Sequence, residues 1–241
     1  MLRVALALLL QDPVPFDPAV HEATRAFAYG DFLLVPARVH LLRSKNADAL
    51  NTLLKQEDVR RLFQKVNRIW NKAGLALDLE SIVEEEADAA GFDPDKGTEA
   101  WKAARPADSR APGMLHVYYV RLLPMNGIYM GADAIIVKDT AALRTVKGGV
   151  DEPIPRVTSH EIGHAFGLGH RQDTINLMAS GTTGWSLDDG EIDRARAWAS
   201  ARDWILAPDA ALKKKRFDAL AAIPGESNIK EAARAALKKE P

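Results

Sequence analysis

Apolar residues recur at intervals of three and four in the stretch that ends near Gly74, which is the spacing of one face of an amphipathic helix. These residues are Val59, Leu62, Phe63, Val66, Ile69 and Trp70. Because glycine adopts the left-handed conformation without steric cost, Gly74 is expected to end this helix. The pattern therefore predicts a long helix that buries one face.

Runs typical of β-strands lie on both sides of this helix. Residues 31–44, DFLLVPARVHLLRS, predict a first strand in which Pro36 indicates an edge or a bend. LALDLESIV, at residues 75–83, alternates and predicts a second strand. The acidic run Glu84–Glu86 is expected to be a solvated connection, and residues 101–113 are expected to be a loop because they are rich in prolines and small residues.

Two further β-rich runs and two helices complete the pattern. MLHVYYVRLL and GIYMGADAIIVKD each predict a strand, and PMNG between them predicts a turn. A helix is expected in the first part of RVTSHEIGHAFGLGH, and another over residues 186–206 with Ser186 as its N-cap. This order of elements predicts an α+β or mixed α/β domain with a modest sheet backed by helices.

Length, charge and cysteine content exclude several function classes. At 241 residues the chain is long enough for one well-packed domain with tails. The formal net charge of -1 argues against a nucleic-acid or anionic-membrane binder, since either would carry a basic excess. The absence of cysteine excludes disulfides, thiol catalysis and cysteine zinc ligands.

The two ends of the chain differ in composition. Arg3 is followed by the apolar run Val4–Leu10 and a proline-rich break, which resembles a short export signal. Export to the periplasm or the cell exterior is therefore expected, with a first strand or apolar tail in a cytoplasmic protein as the alternative. No segment is apolar for long enough to span a bilayer as a helix. Residues 207–241, rich in Ala and Lys, are expected to form one or two small helices, with Lys213–Arg216 on a solvated face.

The segment HEIGHAFGLGH, from His160 to His170, holds three of the six histidines of the chain. On a helix, His160 and His164 project from the same face, about 6 Å apart along the axis. Two imidazoles placed in this way can occupy adjacent corners of a tetrahedral zinc ion. Glu161 lies about 100° round the helix from His160, where it can contact a water on the metal without being a ligand.

The position of the third histidine requires a break in the helix. A continuous helix would carry His170 to the opposite side from His164, about 9 Å further along the axis. If Gly167 ends the helix in the left-handed conformation, the chain can reverse and return His170 as a third ligand. Three protein ligands leave an open position, which is typical of catalytic zinc. The segment therefore predicts one catalytic zinc ion with Glu161 as the general base.

Met178 lies eight residues after His170, within NLMAS. HExxHxxGxxH followed closely by a methionine resembles the metzincin clan of zinc endopeptidases, and the short interval is most similar to its matrixin-like branch. The resemblance implies a catalytic domain over residues 31–206, with residues 1–30 as a lead and 207–241 as a tail. It also implies a long backing helix, an active-site helix, a C-terminal helix, and a methionine turn in which Met178 forms a hydrophobic floor beneath the zinc ligands.

Two residues depart from the pattern of the clan. Ser180 stands where astacin-like and serralysin-like members carry a tyrosine ligand, and Arg171 after the third histidine matches none of the main branches. The subfamily therefore stays open. The sequence does not decide the oligomeric state or whether an additional structural calcium or zinc ion binds.

Together these features predict a zinc-dependent endopeptidase with a polypeptide substrate, in which Glu161 takes a proton from water and returns it to the leaving amine. A zinc hydrolase of a non-peptide amide and a noncatalytic binding module with a structural zinc are the alternatives. The strand around Gly131–Ile136 is either an exposed edge to which substrate adds or an interior strand. Trp185 is either the wall of a substrate side-chain pocket or part of the core.

Overall fold

The computed structural model describes residues 25–224, so the predicted export signal lies outside the described residues. Five strands form one sheet in this range: β1 Leu33–Arg43, β2 Leu75–Glu86, β3 Leu115–Val120, β4 Gly127–Tyr129 and β5 Ala134–Lys138. The α-helices in the same range are α1 Gln56–Trp70, α2 Thr98–Ala103, α3 Pro153–Ala165, α4 Asp189–Ser200, α5 Pro208–Lys213 and α6 Phe217–Ala222.

The sheet has the strand order β2-β1-β3-β5-β4 and is mostly parallel. β1 pairs in parallel with β2 and β3, and β3 pairs in parallel with β5. Only β4 runs antiparallel, to β5, among the strands described. Parallel neighbours need long crossover connections, and α1 supplies the one between β1 and β2. The predicted mixed α/β class is confirmed, with β4 at one edge of the sheet.

The helix predicted before Gly74 is α1, and its apolar stripe is buried in the main core. Asn67, on the same buried face, donates to the carbonyl of Leu77 on β2 and accepts from its N–H, at 3.1 and 2.7 Å. A short 3₁₀ turn follows α1, and Gly74 then has a φ of 63°, as expected of a helix-ending glycine. α1 also packs against α3, so this core supports the helix that carries the histidine motif.

Pro36 lies in an interior strand and not at an edge of the sheet, since β1 lies between β2 and β3. The strand accommodates this proline, which has no N–H to donate, for a local reason. The pairing of β1 with β3 begins only at Ala37, so Pro36 has a partner on the β2 side alone. The register with β2 shifts between Ala37 and Arg38. Such an irregularity bends a strand, so the bend is confirmed and the edge position is wrong.

The acidic run Glu84–Glu86 is the end of β2 and not a solvated loop. Side chains of β1 provide the partners that keep it extended. Arg43 Nε lies 2.9 Å from Glu84 Oε1, and His40 Nδ1 lies 2.6 Å from Glu85 Oε1. The prediction failed because these cross-strand partners are 41 and 45 residues away in the chain.

The run at residues 127–139 is a hairpin of two strands, β4 and β5, and not one strand. The chain reverses between them at Gly131, Ala132 and Asp133, whose φ angles are 76°, 48° and 63°. The segment Gly131–Ile136 therefore does not provide an edge for substrate, since β5 lies between β3 and β4. The exposed edge at this end of the sheet is β4.

Two local predictions also needed correction. The segment at 101–113 begins inside α2, where Trp101 is 1% exposed and belongs to a second apolar cluster. The helix expected from Ser186 begins later, because Asp188 is the N-cap of α4. The Asp188 carboxylate accepts from the Glu191 N–H at 2.8 Å, and the Glu191 carboxylate accepts from the Asp188 N–H at 2.9 Å. This reciprocal pair is a capping box, which fixes the start of the helix.

The described part of the C-terminal tail contains two short helices, α5 and α6. Ala211, Leu220 and Ile223 are buried in a cluster with residues of β1 and β2. Lys213 is exposed on the solvated face, as predicted for its basic run, and Arg216 Nε lies 2.7 Å from Asp78 Oδ2. Among the described helices, none has the length and apolar character needed to cross a membrane.

Candidate metal centre

His160 and His164 lie on α3, which has prolines in its first turn and ends at Ala165. Proline is favoured at the start of a helix because its missing N–H would be unpaired there. The helix is held on its apolar side by Val157 and Ile162, which are buried in the main core. The two imidazole rings lie one turn apart, with centroids separated by 4.8 Å. The core of the domain thus positions both rings.

The chain reverses at Gly167, directly after α3. Gly167 has a φ of 82° and donates its N–H to the carbonyl of His164 at 3.0 Å. The next N–H, of Leu168, bonds to the carbonyl of Gly163 at 2.9 Å, which completes a Schellman-type helix end. The His170 ring is thereby returned to the helix, with its centroid 4.7 Å from that of His164. The structure brings the three histidines together.

Hydrogen bonds orient the two helix histidines. His160 Nδ1 lies 2.8 Å from the carbonyl oxygen of Leu177, and His164 Nδ1 lies 2.9 Å from that of Leu168. A carbonyl only accepts, so each Nδ1 must carry the proton and donate. A neutral imidazole has one N–H, which leaves the Nε2 lone pair of both residues available to a metal.

The available nitrogen atoms are close enough to bind one ion. One nitrogen from each of the three histidines lies within 4.8 Å of the others, and His164 Nε2 is 3.1 Å from His170 Nε2. Two ligands on a tetrahedral zinc ion, with bonds of about 2.0–2.1 Å, are ~3.3 Å apart. Between residues 25 and 224, this is the one group of three His, Cys, Asp or Glu residues with such spacing. The donor set fits zinc.

Burial keeps the helix histidines in the form that binds metal. Desolvation lowers the pKa of His160 to about 3, against the opposite influence of its bond to Leu177. Desolvation also lowers the pKa of His164. Both imidazoles are therefore neutral at pH 7, and neutral imidazole is the metal-binding form.

Met178 packs beneath α3 against Gly163, which lies between the two helix histidines along the chain. Its side chain is fully buried, and its Sδ would be only 2.5 Å from a Cβ at Gly163. Gly163 therefore allows the methionine to approach the helix backbone closely. The turn itself is held by the Met178 N–H, which donates to Asn176 Oδ1 at 2.6 Å. Met178 therefore packs directly against the helix that carries His160 and His164, and its role as a floor beneath zinc ligands stays a prediction.

Glu161 follows His160 on α3 and is 6% exposed. Its carboxylate accepts a hydrogen bond from the backbone N–H of Tyr129 on β4. A Cβ at Gly127 would lie 2.8 Å from Glu161 Oε1, so this glycine allows β4 to pass close to the carboxylate. Burial raises the pKa of Glu161 to about 7, while the Arg156 cation and the Tyr129 N–H act to lower it.

Arg156 is a residue of the site that sequence reasoning missed. It lies one turn before His160 on α3 and is 1% exposed. Its Nε donates to the carbonyl of Gly184 at 2.9 Å. One terminal nitrogen donates to the carbonyls of Asn176 and Ala179. These bonds tie the helix to the methionine turn, and the four-residue spacing from His160 was the available signal. Burial lowers the pKa of Arg156 to about 10, which leaves it cationic at neutral pH.

A cavity of about 480 Å³ opens beside the histidines. Its walls include His160, Glu161, His170, Gly127, Lys138 and Ser180. Trp185 does not line this cavity. It packs against the main core, donates its Nε1–H to the carbonyl of Gly148 at 2.8 Å and lines a separate cavity of about 250 Å³, which favours the core alternative for this residue.

No protein-family model matches the chain, and no curated protein matches it. Metalloproteinase-II from Bacteroides fragilis is a structural neighbour with 15% identity and a TM-score of 0.42, over 73% of this chain and 55% of its own. A zinc-dependent peptidase from Methanocorpusculum labreanum has 16% identity and a TM-score of 0.34, over 67% and 99%. Archaemetzincin from Methanopyrus kandleri has 14% identity and a TM-score of 0.37, over 87% and 98%.

These neighbours differ from the present chain in most positions. The chain spans only 55% of the length of the Bacteroides fragilis protein. At identities of 14–16% and TM-scores of 0.34–0.42, the likenesses assign neither a family nor an activity to this chain. None of the three is described as a matrixin, so the matrixin-like branch gains no support and stays a prediction.

Proposed function

We propose that this protein is a zinc-dependent endopeptidase. One observation carries the proposal: a buried carboxylate, Glu161, lines the same cavity as His160 and His170. A structural zinc site needs no carboxylate beside its ligands and usually fills its fourth position with a protein side chain. A hydrolytic site needs a base next to an open position, which is the arrangement of this cavity.

The zinc ion would be held by His160, His164 and His170, one ion per chain. When bound, zinc supplies an activated water at neutral pH and polarises the carbonyl of the substrate. Each helix histidine keeps its orientation through the Nδ1 bond to a backbone carbonyl, which fixes Nε2 toward the third ligand. Met178 would limit the movement of both rings from below.

Glu161 would move the proton of the reaction. Its carboxylate takes a proton from the attacking water and gives it to the nitrogen of the leaving amine, so that the peptide bond is broken and no net proton is consumed at Glu161. The Tyr129 N–H and the close passage of Gly127 hold the carboxylate in one place. Burial also limits the access of bulk water to this group.

The substrate would bind along β4. This strand has β5 on one side only, and its other side is the edge of the sheet. An extended polypeptide can add to such an edge through main-chain hydrogen bonds, here to the groups of β4 other than the Tyr129 N–H, which stays on Glu161. Because Gly127 of β4 also lines the cavity, a peptide on this edge would pass the Glu161 carboxylate. This geometry favours cleavage within a polypeptide over hydrolysis of a small amide.

The test compares the parent with Glu161→Gln, which preserves the size of the side chain but cannot accept the proton. Cleavage of casein should fall by at least 10²–10⁴-fold, the typical contribution of a general acid–base group. Zinc content should stay near that of the parent. Glu57→Gln, at an exposed position on α1, is the matched control and should cleave at the parental rate.

Two outcomes would contradict the proposal. A zinc-loaded parent that cuts neither casein nor any member of a broad peptide library is not an endopeptidase, and the non-peptide hydrolase or binding module would replace it. If Glu161→Gln cuts as fast as the parent, the role of Glu161 is wrong even though the protein is a protease.

A further inference from the structure

A second cavity of about 300 Å³ adjoins the one beside the histidines, since both are lined by His170 and Ser180. The first is lined by Lys138 and Arg156, and the second by Arg144 and Arg171. In the described part of the chain, Glu161 is the one carboxylate on the walls of either cavity. The walls of this part of the cleft are therefore strongly basic, although the whole chain has a net charge of -1.

Three of these four cations have no ion pair with a described residue. Arg171 is neutralised, because its guanidinium lies 2.9 Å from Asp188 and 3.9 Å from Glu191. Lys138, Arg144 and Arg156 form no such pair within residues 25–224. A cation without a counter-ion in a partly enclosed cavity attracts an anion, since the low local dielectric weakens screening.

Arg156 is the buried member of this group and has a donor to spare. Its Nε and one terminal nitrogen are used by backbone carbonyls, which carry no net charge. The other terminal nitrogen lies 3.3 Å from His160 Nδ1. That Nδ1 already donates its proton to Leu177, so it cannot accept from Arg156. One buried guanidinium nitrogen of Arg156, a residue that lines the cavity, therefore has no acceptor in the described chain.

We infer that the cleft selects polypeptides with an acidic side chain next to the bond that is cut. The inference rests on the proposed endopeptidase function and names its substrate class. A carboxylate in this cavity would accept from the free N–H of Arg156 and lie near Lys138, with Arg144 beyond Ser180. Charge-assisted hydrogen bonds of this kind are stronger than neutral ones. An amide of the same shape would bring no negative charge to these cations, of which Arg156 has only the nearby Glu161 carboxylate to act on it.

The test uses peptides that differ in one charge. A casein bond cut by the parent is mapped by mass spectrometry, and quenched fluorescent peptides around it are made with Glu or Gln directly before or directly after that bond. At one of the two positions, kcat/KM should be at least about tenfold higher with Glu, the effect expected of one charged hydrogen bond. The preference should weaken as sodium chloride is added. Equal rates for Glu and Gln at both positions would overturn the inference and leave the protease standing.

Variants identify the residues responsible. Removal of Arg156 would also release the methionine turn, so Lys138→Met is the better probe. It should lower the Glu-to-Gln ratio by about threefold or more, the effect expected of a partly exposed charge. Lys96→Met removes an exposed cation that does not line either cavity, and it should leave the ratio unchanged. Equal effects of the two variants would show that net charge, and not this cleft, sets the preference.

A binding measurement tests the acidic preference independently of the endopeptidase function. Calorimetric titration of Glu161→Gln with the same uncut peptides should give a Kd about tenfold lower for Glu than for Gln. If the parent cuts no bond in casein, the titration uses two casein-derived peptides that differ only in one Glu or Gln, and preferential binding of the Glu peptide would mean that the acidic preference is correct and the endopeptidase is wrong. If cleavage occurs but neither binding nor kcat/KM depends on the charge, the endopeptidase is correct and the acidic preference is wrong.

Discussion

Two groups of neighbouring histidines lie in the described fold, and they differ in their hydrogen bonds. In the group of His160, His164 and His170, the helix histidines use Nδ1 for backbone carbonyls, and the Nε2 atoms of His164 and His170 face each other at 3.1 Å. In the pair of His40 on β1 and His116 on β3, every ring nitrogen has a partner in the described chain. The bonding pattern, and not the number of imidazoles, distinguishes a candidate metal site from a structural cluster.

Each ring nitrogen of His40 and His116 lies at hydrogen-bond distance from a polar atom. His40 Nδ1 lies 2.6 Å from Glu85, and His40 Nε2 lies 2.9 Å from His116 Nδ1. His116 Nε2 then lies 2.8 Å from the carbonyl of Ala111. The ring of Tyr118 stacks on His40 with centroids 4.1 Å apart. This pair fastens the loop before β3 to the sheet and leaves no ring nitrogen for a metal among these residues.

The two groups should differ most in the free energy of unfolding that is lost when one histidine of each group is replaced by alanine. In zinc-free protein, His40→Ala should lower the free energy of unfolding by about 3 kcal/mol, because it leaves a cavity and removes one hydrogen-bond partner each from Glu85 and His116. His170→Ala should cost less than about 0.5 kcal/mol, because its side chain is exposed and makes no comparable network. Urea unfolding with a chelator present measures both. Similar losses in the two variants would contradict the distinction.

A substitution on β4 tests whether the position of the Glu161 carboxylate matters for cleavage. In Gly127→Ala, the new Cβ would meet the Glu161 carboxylate at 2.8 Å, so the carboxylate must shift. We expect the rate of casein cleavage to fall by about 10–100-fold, as misplacement of a reacting group typically causes, with zinc retained. Gly169→Ala is the control, since nothing lies within 4 Å of its Cβ position. A parental rate in Gly127→Ala would show that Glu161 is not held where it must act.

The sheet pair should make stability depend on pH. Burial lowers the pKa of both His40 and His116, with Glu85 acting against it at His40 and with Arg38 and Arg105 adding to it. Below the unfolded value near pH 6.5, the unfolded state therefore binds more protons than the folded state, and stability falls as the pH falls.

The size of this dependence can be measured in zinc-free protein. His116→Gln removes one of the two groups, so the slope of unfolding free energy between about pH 6.5 and 5 should decrease by up to about 1.4 kcal/mol per pH unit. Urea titrations at several pH values give the slope for parent and variant. An unchanged slope would mean that the pKa of His116 is the same in the folded and the unfolded protein.

The smallest effect is expected at Met178. Met178→Leu nearly conserves volume, so the free energy of unfolding should fall by less than about 1.5 kcal/mol. Zinc and most of the activity should be retained, because a thioether fills space here and is a weak ligand. Thermal unfolding and metal analysis on the same sample measure both quantities. Loss of zinc would show that the methionine contributes directly to the metal site.

Local signals in the sequence predicted the elements that depend on local spacing. The period of α1 and its end at Gly74 follow from apolar repeats and the conformational freedom of glycine. The same reasoning predicted the reversal at Gly167 that returns His170 to α3. In each case the residues that interact are within one or two helical turns of one another. Their spacing in the sequence is therefore enough to predict the contact.

Other features depend on partners that are distant in the chain. The strand at Glu84–Glu86 needs Arg43 and His40 of β1, and the bonds of Arg156 need carbonyls 20–28 residues away. The hairpin at Gly131 was hidden because β4 has only three residues. Gly127 allows β4 to pass close to Glu161 on α3. No local sequence pattern predicts this approach, because the two elements are distant in the chain. Sequence reasoning therefore predicted the clustering of the three histidines better than the walls of the cavity.

The zinc content of three proteins after the same dialysis tests whether His160, His164 and His170 bind the metal. Elemental analysis should find about one zinc ion per chain in the parent and in His116→Gln, and far less in His164→Ala, since three protein ligands are needed for tight binding. Circular dichroism on the same samples establishes that each is folded. Full zinc occupancy in folded His164→Ala, or loss of zinc from folded His116→Gln, would contradict the assignment of the metal to the three histidines of α3 and its return loop.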